Sequence, residues 1–455
     1  MRKLVCLLLV VVAAQISFAT VIHVPSEQPT IQAGINGAEG SAAVSTIGSN
    51  CTGDLRKSRH VWHVYPDGSG DAPTIQAAYD SCSPGDTILL AEGVYTGEGN
   101  RIVQIVYTPV VIRSVQGPEV TIVDAEYLSA GMHFGYVDST TRLEGLTIQH
   151  GRGFGIFVFA ASPIITDCII TDNYSFEDGG GIYCNHSSPT FIDCSFIGNY
   201  APQNGGAFYC GPYGTLTLIN CLFVDNVADQ SGAAIYSDLT WWPTIIRNCL
   251  FASNHCEQGG VVTFTANSPQ FTSCTFANNS RGIYALEHPY ASFDSCLIAF
   301  NHDVSVFCDS EMIEGSVFAC CDIYGNLLGD WVSSFADQLG TNGNFSLDPQ
   351  FCDTTSANWF IRETSPCAPA NNDCASLIGA LGIGCIFICG DADGDGMVNI
   401  ADVVYLINYI FSGGPPPDPL LAGDVDCNSM VNIADVVYLI DYIFAGGPEP
   451  CAGCP

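Results

Sequence analysis

The stretch CIITDN at residues 168–173 is the first of seven copies of one pattern, Cys-x-apolar-x-x-Asn. The other six copies are CSFIGN, CLFVDN, CLFASN, CTFANN, CLIAFN and CDIYGN, which begin at Cys194, Cys221, Cys249, Cys274, Cys296 and Cys321. Successive copies start 26, 27, 28, 25, 22 and 25 residues apart. LTIQHG at Leu146 looks like an earlier copy with leucine in the place of the cysteine. A repeat of this length indicates stacked coils rather than one compact core.

A second apolar block accompanies most of the copies. It reads GGGIYC ending at Cys184, GGAFYC ending at Cys210 and GAAIYS ending at Ser237, with weaker versions at 259–264 and 282–285. Short runs of β-branched and aromatic residues between turns rich in Gly, Asn, Asp and Pro predict strands. Each coil should therefore contain at least two short strands, and a period near 25 residues fits a parallel β-helix.

Stacking of the coils gives the repeated residues a physical role. Equivalent residues of neighbouring coils would lie about 4.8 Å apart. Asparagine tolerates the left-handed backbone of a sharp corner, and its amide can bond to the asparagines above and below it. The repeated cysteine should face inward as a small buried hydrophobe. We therefore predict free thiols at Cys168, Cys194, Cys221, Cys249, Cys274 and Cys296; disulfides between neighbouring coils are the alternative.

These features resemble right-handed parallel β-helix proteins of the pectate-lyase-like superfamily, over residues 61–385. The start of that region, PTIQAAYDSCSPGDTILLAEGVYTG at 73–97, also resembles the family. The resemblance implies a short amphipathic helix from Thr74 to Ser81 that caps the solenoid, since an uncapped coil leaves an unpaired edge. DTILLAEGVY would then be the first strand.

Composition and the chain start bear on location and partners. The 455 residues include 46 acids and 12 bases, a net charge of −34, which disfavours nucleic acid and anionic membranes. MRKLVCLLLVVVAAQISFAT predicts a signal peptide over 1–19 and a secreted protein; a membrane anchor is the alternative, but the apolar run is short for a span. Residues 20–60 look like a degenerate duplicate of 61–79 followed by a linker.

The solenoid's chemistry stays open at this level. Many β-helix proteins cleave acidic polysaccharides, so the resemblance implies a polysaccharide role, either as a glycoside hydrolase or as a polysaccharide lyase. The last lysine is Lys57, however, and the elements Arg-x-Lys and RxPxxR are absent after it. The remaining candidates are His150 with Arg152, Glu177–Gly180 with His186, the segment 254–258, and the pair Asp225 and Asp229. All lie at predicted turns, where solvated corner residues are the simpler interpretation, so we identify no catalytic set.

Two acidic loops near the C-terminus predict calcium sites. GDADGDGMVNIAD at 390–402 is followed 33 residues later by GDVDCNSMVNIAD. Each loop offers oxygen ligands at positions 1, 3, 5, 7, 9 and 12 of a twelve-residue calcium loop, with a backbone carbonyl at position 7. The predicted ligands of the first loop are Asp391, Asp393, Asp395, Met397, Asn399 and Asp402. Those of the second loop are Asp424, Asp426, Asn428, Met430, Asn432 and Asp435.

Nearly identical segments, NIADVVYLINYIF and NIADVVYLIDYIF, follow the two loops and predict helices that end at Gly-Gly pairs. No helix is expected before either loop. A loop with an exiting helix, twice, resembles the type I dockerin domain over about 389–448, within a predicted domain at 386–455. The resemblance implies a cohesin-type protein partner, bound in either of two orientations. The implied partner-binding residues are Ile400, Ala401, Val404, Tyr405, Ile433, Ala434, Val437 and Tyr438.

Two further expectations concern this module. Val403, Leu406, Ile407 and Ile410 lie on one helix face by their spacing, which predicts a core face. The second loop has Asn428 and Ser429 where the first has Asp395 and Gly396, which predicts weaker calcium binding at the second site. Cys389, Cys427, Cys451 and Cys454 favour a disulfide over a zinc or redox site, with the pairing open.

Two functions therefore compete. One is a secreted polysaccharide-binding or polysaccharide-processing protein that a dockerin-like module attaches to a cohesin-type partner. The other is a non-enzymatic cell-surface or matrix spacer, or adhesin, with a calcium-stapled tail. The scarcity of basic residues favours the second function, and the resemblance of the tail favours the first.

Overall fold

The computed structural model describes residues 59–238, 243–266, 268–286, 290–308, 317–354, 357–385, 388–394, 397–417, 420–428 and 430–450. The predicted signal peptide at 1–19 and the predicted duplicate up to residue 58 lie outside these residues. Asp395, Gly396, Ser429, Cys451 and Cys454 lie outside them as well.

Three long sheets of parallel strands form the solenoid, as the repeat predicts. In the described residues, sheet 1 has 11 strands, sheet 2 has 10 and sheet 3 has 9. The strands of sheet 1 are Val61–Val64, Thr87–Leu90, Val111–Ser114, Arg142–Glu144, Ile164–Thr166, Thr190–Ile192, Thr217–Ile219, Ile245–Arg247, Gln270–Thr272, Ser292–Asp294 and Val317–Ala319. Those of sheet 2 are Gly93–Tyr95, Thr121–Asp124, Thr147–Gln149, Ile169–Thr171, Ser195–Ile197, Leu222–Val224, Leu250–Ala252, Thr275–Ala277, Leu297–Ala299 and Asp322–Tyr324. Those of sheet 3 are Val103–Val106, Met132–Gly135, Ile156–Phe159, Ile182–Asn185, Phe208–Cys210, Ile235–Ser237, Val262–Thr265, Ile283–Leu286 and Val306–Cys308.

Each coil runs through sheets 1, 2 and 3 in turn, so every strand pairs with its counterpart one coil away. A longer loop separates sheet 2 from sheet 3. In the middle coils this loop adds a small parallel sheet of Tyr200–Ala201, Val227–Ala228 and His255–Cys256. Its side chains lie on the flank of the solenoid, where neighbouring coils bring them together.

The two sharp corners around each sheet 2 strand explain the repeated motif, with one correction. In the coil of Cys168 the left-handed residues are Asp167 and Asp172, each with φ of 52°, and they come directly before the cysteine and the asparagine. The same holds for Asp193 and Gly198 in the next coil, at φ of 54° and 62°. The expectation that the asparagine itself adopts the left-handed conformation was wrong, because the residue before it makes the turn.

The asparagines form the predicted hydrogen-bonded ladder, which consists of Asn173, Asn199, Asn226, Asn254, Asn279, Asn301 and Asn326. Each side-chain amide nitrogen donates to the side-chain oxygen of the next asparagine at 2.8–3.0 Å, as far as Asn326. The same oxygen accepts the backbone N–H of the preceding asparagine at 3.0–3.2 Å. All seven are buried. The ladder satisfies polar groups that the corner would otherwise bury without partners.

The cysteines stack on the inside as free thiols, as predicted. The six predicted residues and Cys321, which we call the cysteine ladder, are all buried and unbridged. Beside them, the aromatic rings of Phe196, Phe223, Phe251 and Phe276 stack with centroids 4.6, 4.9 and 4.6 Å apart. In the middle coils, identical side chains therefore stack along the axis at the cysteine position and at the phenylalanine position.

Helix α1, Ile75–Ser81, covers the first coils as expected, with Thr74 as its N-cap residue. The expectation for the first strand was wrong in two ways. Val61–Val64 precedes DTILLAEGVY and pairs with Thr87–Leu90, and DTILLAEGVY itself contains two strands, Thr87–Leu90 and Gly93–Tyr95, in different sheets. The corner between them lies at Ala91–Glu92, where the coil turns from sheet 1 to sheet 2.

After the last coil the chain returns over the outer face of sheet 2. A 3-10 helix, Ser333–Gln338, precedes an antiparallel pair of Phe351–Asp353 and Asn358–Ile361. Phe351, Trp359 and Ile361 bury the outward-facing Leu250 and Leu297 of sheet 2. Two disulfides, Cys320–Cys374 and Cys352–Cys385, join this covering segment to the last coil and to its own end.

The C-terminal module contains helices α2, Ile400–Ser412, and α3, Ile433–Ile440, and α3 continues as a π-helical turn at Asp441–Ala445. Both end at left-handed glycines, Gly413 and Gly446, as the Gly-Gly pairs predict. A short 3-10 helix, Leu420–Gly423, precedes the second loop, although we expected no helix there. Among the described residues, no helix combines the length and the apolar character that crossing a membrane requires.

Candidate functional site

The two acidic loops of the C-terminal module each bring three carboxylates together. One carboxylate oxygen from each of Asp391, Asp393 and Asp402 lies within 4.8 Å of the others. Asp424, Asp426 and Asp435 form the same arrangement in the second loop. In both loops the carboxylates at positions 1 and 12 are buried. The residues that the sequence places at positions 1, 3 and 12 therefore meet in space.

The last carboxylate of each loop also fixes the start of a helix. Asn399 caps α2, with its side-chain oxygen accepting the N–H of Ala401 at 2.8 Å, and Asp402 accepts the N–H of Asn399 at 2.8 Å. Asn432 and Asp435 form the same capping box on α3, with N-cap φ of −150° at both helices. Each helix N-terminus therefore holds the position-12 carboxylate in place.

The predicted ligands Asn399 and Asn432 have a structural role as well. Asn399 donates from Nδ2 to the carbonyl of Met397 at 3.1 Å, and Asn432 donates to the carbonyl of Met430 at 3.0 Å. Each therefore links the position-7 carbonyl to the helix cap. In calcium loops the position-9 residue often contacts the ion through a water molecule, which agrees with side chains already engaged by the backbone.

In the second loop, the residue at position 5 is hydrogen-bonded to two of the loop's own carboxylates. Asn428, at position 5, donates from Nδ2 to Asp426 Oδ2 at 2.8 Å, and its backbone N–H reaches Asp424 Oδ1 at 3.0 Å. Its counterpart in the first loop, the predicted ligand Asp395, lies outside the described residues. An amide at position 5 contributes no charge and engages an oxygen of Asp426.

The carboxylate clusters have the chemistry of a calcium site. Burial and then the neighbouring Asp393 and Asp391 raise the pKa of Asp402, although backbone N–H donors at Asn399 and Asp393 oppose the shift. Burial and then Asp426 likewise raise the pKa of Asp435. Hard oxygens held about 2.4 Å from one Ca²⁺ lie up to about 4.8 Å apart, which matches these clusters. A divalent cation would relieve the repulsion that the cluster creates.

Each helix presents a row of exposed apolar side chains. The rows consist of Ile400, Val404, Ile407 and Phe411 on α2, and of Ile433, Val437, Ile440 and Phe444 on α3. Equivalent members are equally exposed; for example, Val404 is 60% and Val437 59% exposed, and Phe411 is 65% and Phe444 66% exposed. We call these sets the α2 row and the α3 row. They form two nearly equivalent surfaces.

The sequence assigned some of these residues differently. Val403 and Leu406 are buried as predicted, but Ile407 lies in the exposed α2 row, so its assignment to the core face was wrong. The core between two short helices buries only a narrow strip, and Ile407 falls outside it. Of the predicted partner-binding residues, Ile400, Val404, Ile433, Ala434 and Val437 are exposed and Ala401 is half-buried. Tyr405 and Tyr438 are half-buried, and their hydroxyls donate to the carbonyls of Pro416 and Glu449 at 3.3 and 3.1 Å.

The predicted disulfide chemistry of the module is also present. Cys389 and Cys427 are both disulfide-bonded. Cys389 precedes the first predicted calcium loop and Cys427 lies within the second, so covalent bonds and carboxylate clusters constrain the same segments.

A family model described as a right-handed β-helix region matches residues 80–240 and 206–344, which together span 265 of 455 residues. A second model, for the type I dockerin domain, matches residues 389–444, where the twin loops and helices lie. The chain belongs to the right-handed β-helix family. It carries a type I dockerin domain at its C-terminal end. No curated protein matches the chain.

Solved structures with a similar fold share little sequence with this β-helix protein. A pectate lyase, Pel9A, has a TM-score of 0.40 at 13% identity and covers 72% of this chain and 97% of its own. A mannuronic acid specific family 6 lyase from human gut microbiota has a TM-score of 0.30 at 13% identity, covering 59% of this chain and 74% of its own. Carrot pectin methylesterase has a TM-score of 0.29 at 12% identity, covering 74% and 95%. These likenesses assign no activity.

Several polar residues that the sequence singled out on the β-helix have local partners. His150 Nδ1 lies 3.1 Å from Asp124, and the guanidinium of Arg152 lies 5.2 Å from the ring centre of Phe176. Asp229 accepts the hydroxyl of Tyr200 at 2.7 Å, and Asp225 occupies an exposed left-handed corner. These contacts agree with corner residues that stabilise the coils.

The turns at Glu177–Gly180 and at His186 also contain side chains with local partners. Glu177 is exposed, and Asp178 accepts the backbone N–H and the side-chain amide of Asn204 at 2.9 and 3.1 Å. Burial raises the pKa of Asp178 despite these bonds. The ring of His186 contacts that of Tyr213 in a tilted arrangement, with centroids 5.2 Å apart.

The segment 254–258 is different, because two later coils add polar residues beside it. His255 and Glu257 line a cleft together with Arg281 and with His302 and Asp303. The sequence singled out only the first of these turns. Arg281, His302 and Asp303 lie 24 to 48 positions further along the chain than His255 and Glu257. They meet because the coils stack in register, a relation that a single-coil motif does not reveal.

Proposed function

We propose that this β-helix protein is exported and serves in polysaccharide binding or processing, held by its dockerin domain to a cohesin-type partner. The observation that supports this proposal most strongly is the pair of carboxylate clusters, each at the start of a helix that exposes an apolar row. The signal-peptide pattern at 1–19 supports export, and the dockerin family supports the partner class.

Calcium would be held by Asp391, Asp393 and Asp402 in the first loop and by Asp424, Asp426 and Asp435 in the second. The ion supplies positive charge that offsets the clustered carboxylates, so binding and folding of the domain are coupled. The remaining predicted ligands, Asp395, Met397, Asn399, Asn428, Met430 and Asn432, belong to the same proposal.

Docking would use the α2 row or the α3 row. Because the two rows have matching residues and matching exposure, either could face the same partner surface, with the domain rotated between the two cases. The β-helix would then project from the attachment point with its flanks free to contact a polysaccharide.

The test is cohesin binding by the full-length chain, measured by calorimetry with calcium and with excess chelator. Val404→Asp alone and Val437→Asp alone should each weaken binding less than tenfold, and the double variant should abolish it, since one row substitutes for the other. The exposed Leu327, which lies on the β-helix, gives the control Leu327→Asp. Calcium-independent binding, or a double variant that binds normally, would contradict the proposal.

The second candidate function is a non-enzymatic surface spacer, which the few basic residues of the solenoid favour. A glycan screen with the full-length chain distinguishes the two functions. Binding or cleavage of any polysaccharide supports the first, and neither result across neutral and acidic glycans supports the spacer.

A further inference from the structure

The flank of the β-helix carries a cleft of about 580 Å³ that four successive coils build. Its lining residues include His255, Glu257, Arg281, His302, Asp303 and Leu328. All of them except Leu328 come from the loops between sheets 2 and 3, and Leu328 follows the last strand of sheet 2. A cleft of this volume lies within the range of small-molecule sites.

The floor of the cleft is a fixed polar cluster. Asp303, which is 7% exposed, accepts from Arg281 Nη1 at 2.9 Å and from the hydroxyl of Tyr284 at 3.0 Å. Its second oxygen accepts the N–H of Val304 at 2.9 Å. Arg281 also donates from Nη2 to the carbonyl of Glu257 at 2.8 Å, so it links its own coil to the coils before and after it. The guanidinium is therefore held in one position before any ligand arrives.

The walls of the cleft remain open to solvent. His255, Glu257 and His302 are exposed, and Leu328 is 62% exposed. Imidazole, carboxylate and guanidinium groups are planar and together offer donors and acceptors to neighbouring hydroxyls. The leucine offers an apolar contact to a C–H face. This combination fits a ligand that is polar at its rim and apolar on its ring faces.

The net charges of the cleft and of the whole chain favour a neutral ligand over an acidic one. With neutral imidazoles, Arg281 contributes +1 and Glu257 and Asp303 contribute −1 each, so the cleft carries −1. The whole chain carries −34, so a polyanion is repelled both at the cleft and from a distance. A neutral ligand experiences neither of these electrostatic repulsions.

We propose that this cleft binds a neutral oligosaccharide segment that runs along the solenoid axis. Coils repeat about every 4.8 Å, close to the length of one pyranose unit, so the three coils at His255, Arg281 and His302 match two to three sugar units. Arg281 and the imidazoles contact sugar hydroxyls, Glu257 accepts from a hydroxyl pair, and Leu328 packs on a ring face. The inference rests on the proposed polysaccharide role and gives it a location and a substrate class.

The test is calorimetry of the full-length chain with calcium present. The probes are neutral pentasaccharides of the gluco, xylo, manno and galacto series, with trigalacturonate as the acidic probe. We expect at least one neutral probe to bind and trigalacturonate to bind more weakly. The double variant Glu257→Ala/His302→Ala changes only exposed side chains, so thermal unfolding should be unaffected while the dissociation constant rises at least tenfold.

The control is Glu177→Ala, an exposed glutamate in the equivalent loop three coils earlier, which should bind within twofold of the wild type. Wild-type binding that the double variant retains would overturn the cleft and leave the polysaccharide role standing. Binding of trigalacturonate alone would overturn the neutral class. No binding of any probe would count against the polysaccharide role itself.

Discussion

The asparagine ladder allows the stability of the solenoid to be tested at one position. Asn226, in the middle of the ladder, accepts the backbone N–H and the side-chain amide of Asn199, both at 3.0 Å. It donates to the carbonyl of Phe196 at 2.9 Å and to the side chain of Asn254 at 3.0 Å. Asn226→Ala removes all four bonds without changing the backbone N–H of residue 226, which still donates to Asn254.

The magnitude follows from the groups that lose a partner. Two donors of Asn199 are left buried without an acceptor, whereas Asn254 keeps one donor and Phe196 remains paired with Phe223 in sheet 2. Each buried polar group without a partner costs about 1–3 kcal/mol. The two donors together would cost about 2–6 kcal/mol. Because water can enter the space that the amide leaves, we take the lower half of this range and expect a loss of about 2–4 kcal/mol.

The assay is urea unfolding at saturating calcium, followed by far-ultraviolet circular dichroism. Asn185→Ala is the control, since Asn185 is half-buried at the end of a sheet 3 strand and outside the ladder. It should cost less than about 1 kcal/mol. If Asn226→Ala is no more destabilising than Asn185→Ala, the ladder does not stabilise the coils and the reasoning fails.

Three further predictions follow from other parts of the chain. Calorimetry should resolve two unequal calcium sites with the first loop tighter, and chelation should unfold the dockerin domain while the β-sheet signal persists; equal sites or a tighter second loop would refute the first part. Thiol titration of the denatured, unreduced protein should find at least the seven thiols of the cysteine ladder, and a count near zero would mean that bridges join the coils. Burial and then the charges of Asp330 and Asp348 raise the pKa of Asp322 to about 7, outweighing bonds from Leu347 N–H and the Cys367 thiol. A raised folded pKa gives stability that is present below the unfolded pKa near 3.8 and is lost as pH rises through about 7. The wild type should therefore lose up to about 4 kcal/mol more than Asp322→Asn between pH 4 and pH 8, and parallel pH profiles would contradict this.

Much of the fold could be predicted from the sequence because its determinants are local and repeated. One Cys-x-apolar-x-x-Asn unit specifies a strand, an inward cysteine and a ladder asparagine, and copying it places each residue on its counterpart. The left-handed corner was assigned to the wrong residue because Asp, Asn, Ser and Gly all occur before the ladder asparagine and form no fixed motif. Cys320 and Cys374 could not be paired, since 54 residues separate them and the covering segment follows no repeat.

In the dockerin domain, too, one part of the structure could be predicted from the sequence and another part could not. The spacing within the loop predicted that Asp391, Asp393 and Asp402 lie together, because a calcium loop needs oxygen ligands at fixed positions along a short segment. The exposed rows depend on how α2 and α3 pack, and Ile407 shows that the helical period alone does not decide which side is covered. The sequence by itself therefore determined the coil, its ladders and the acidic loops, whose interactions lie within one repeat or between identical repeats. Only the tertiary structure decided the cleft of Arg281 and Asp303, because its residues come from different coils and meet through stacking.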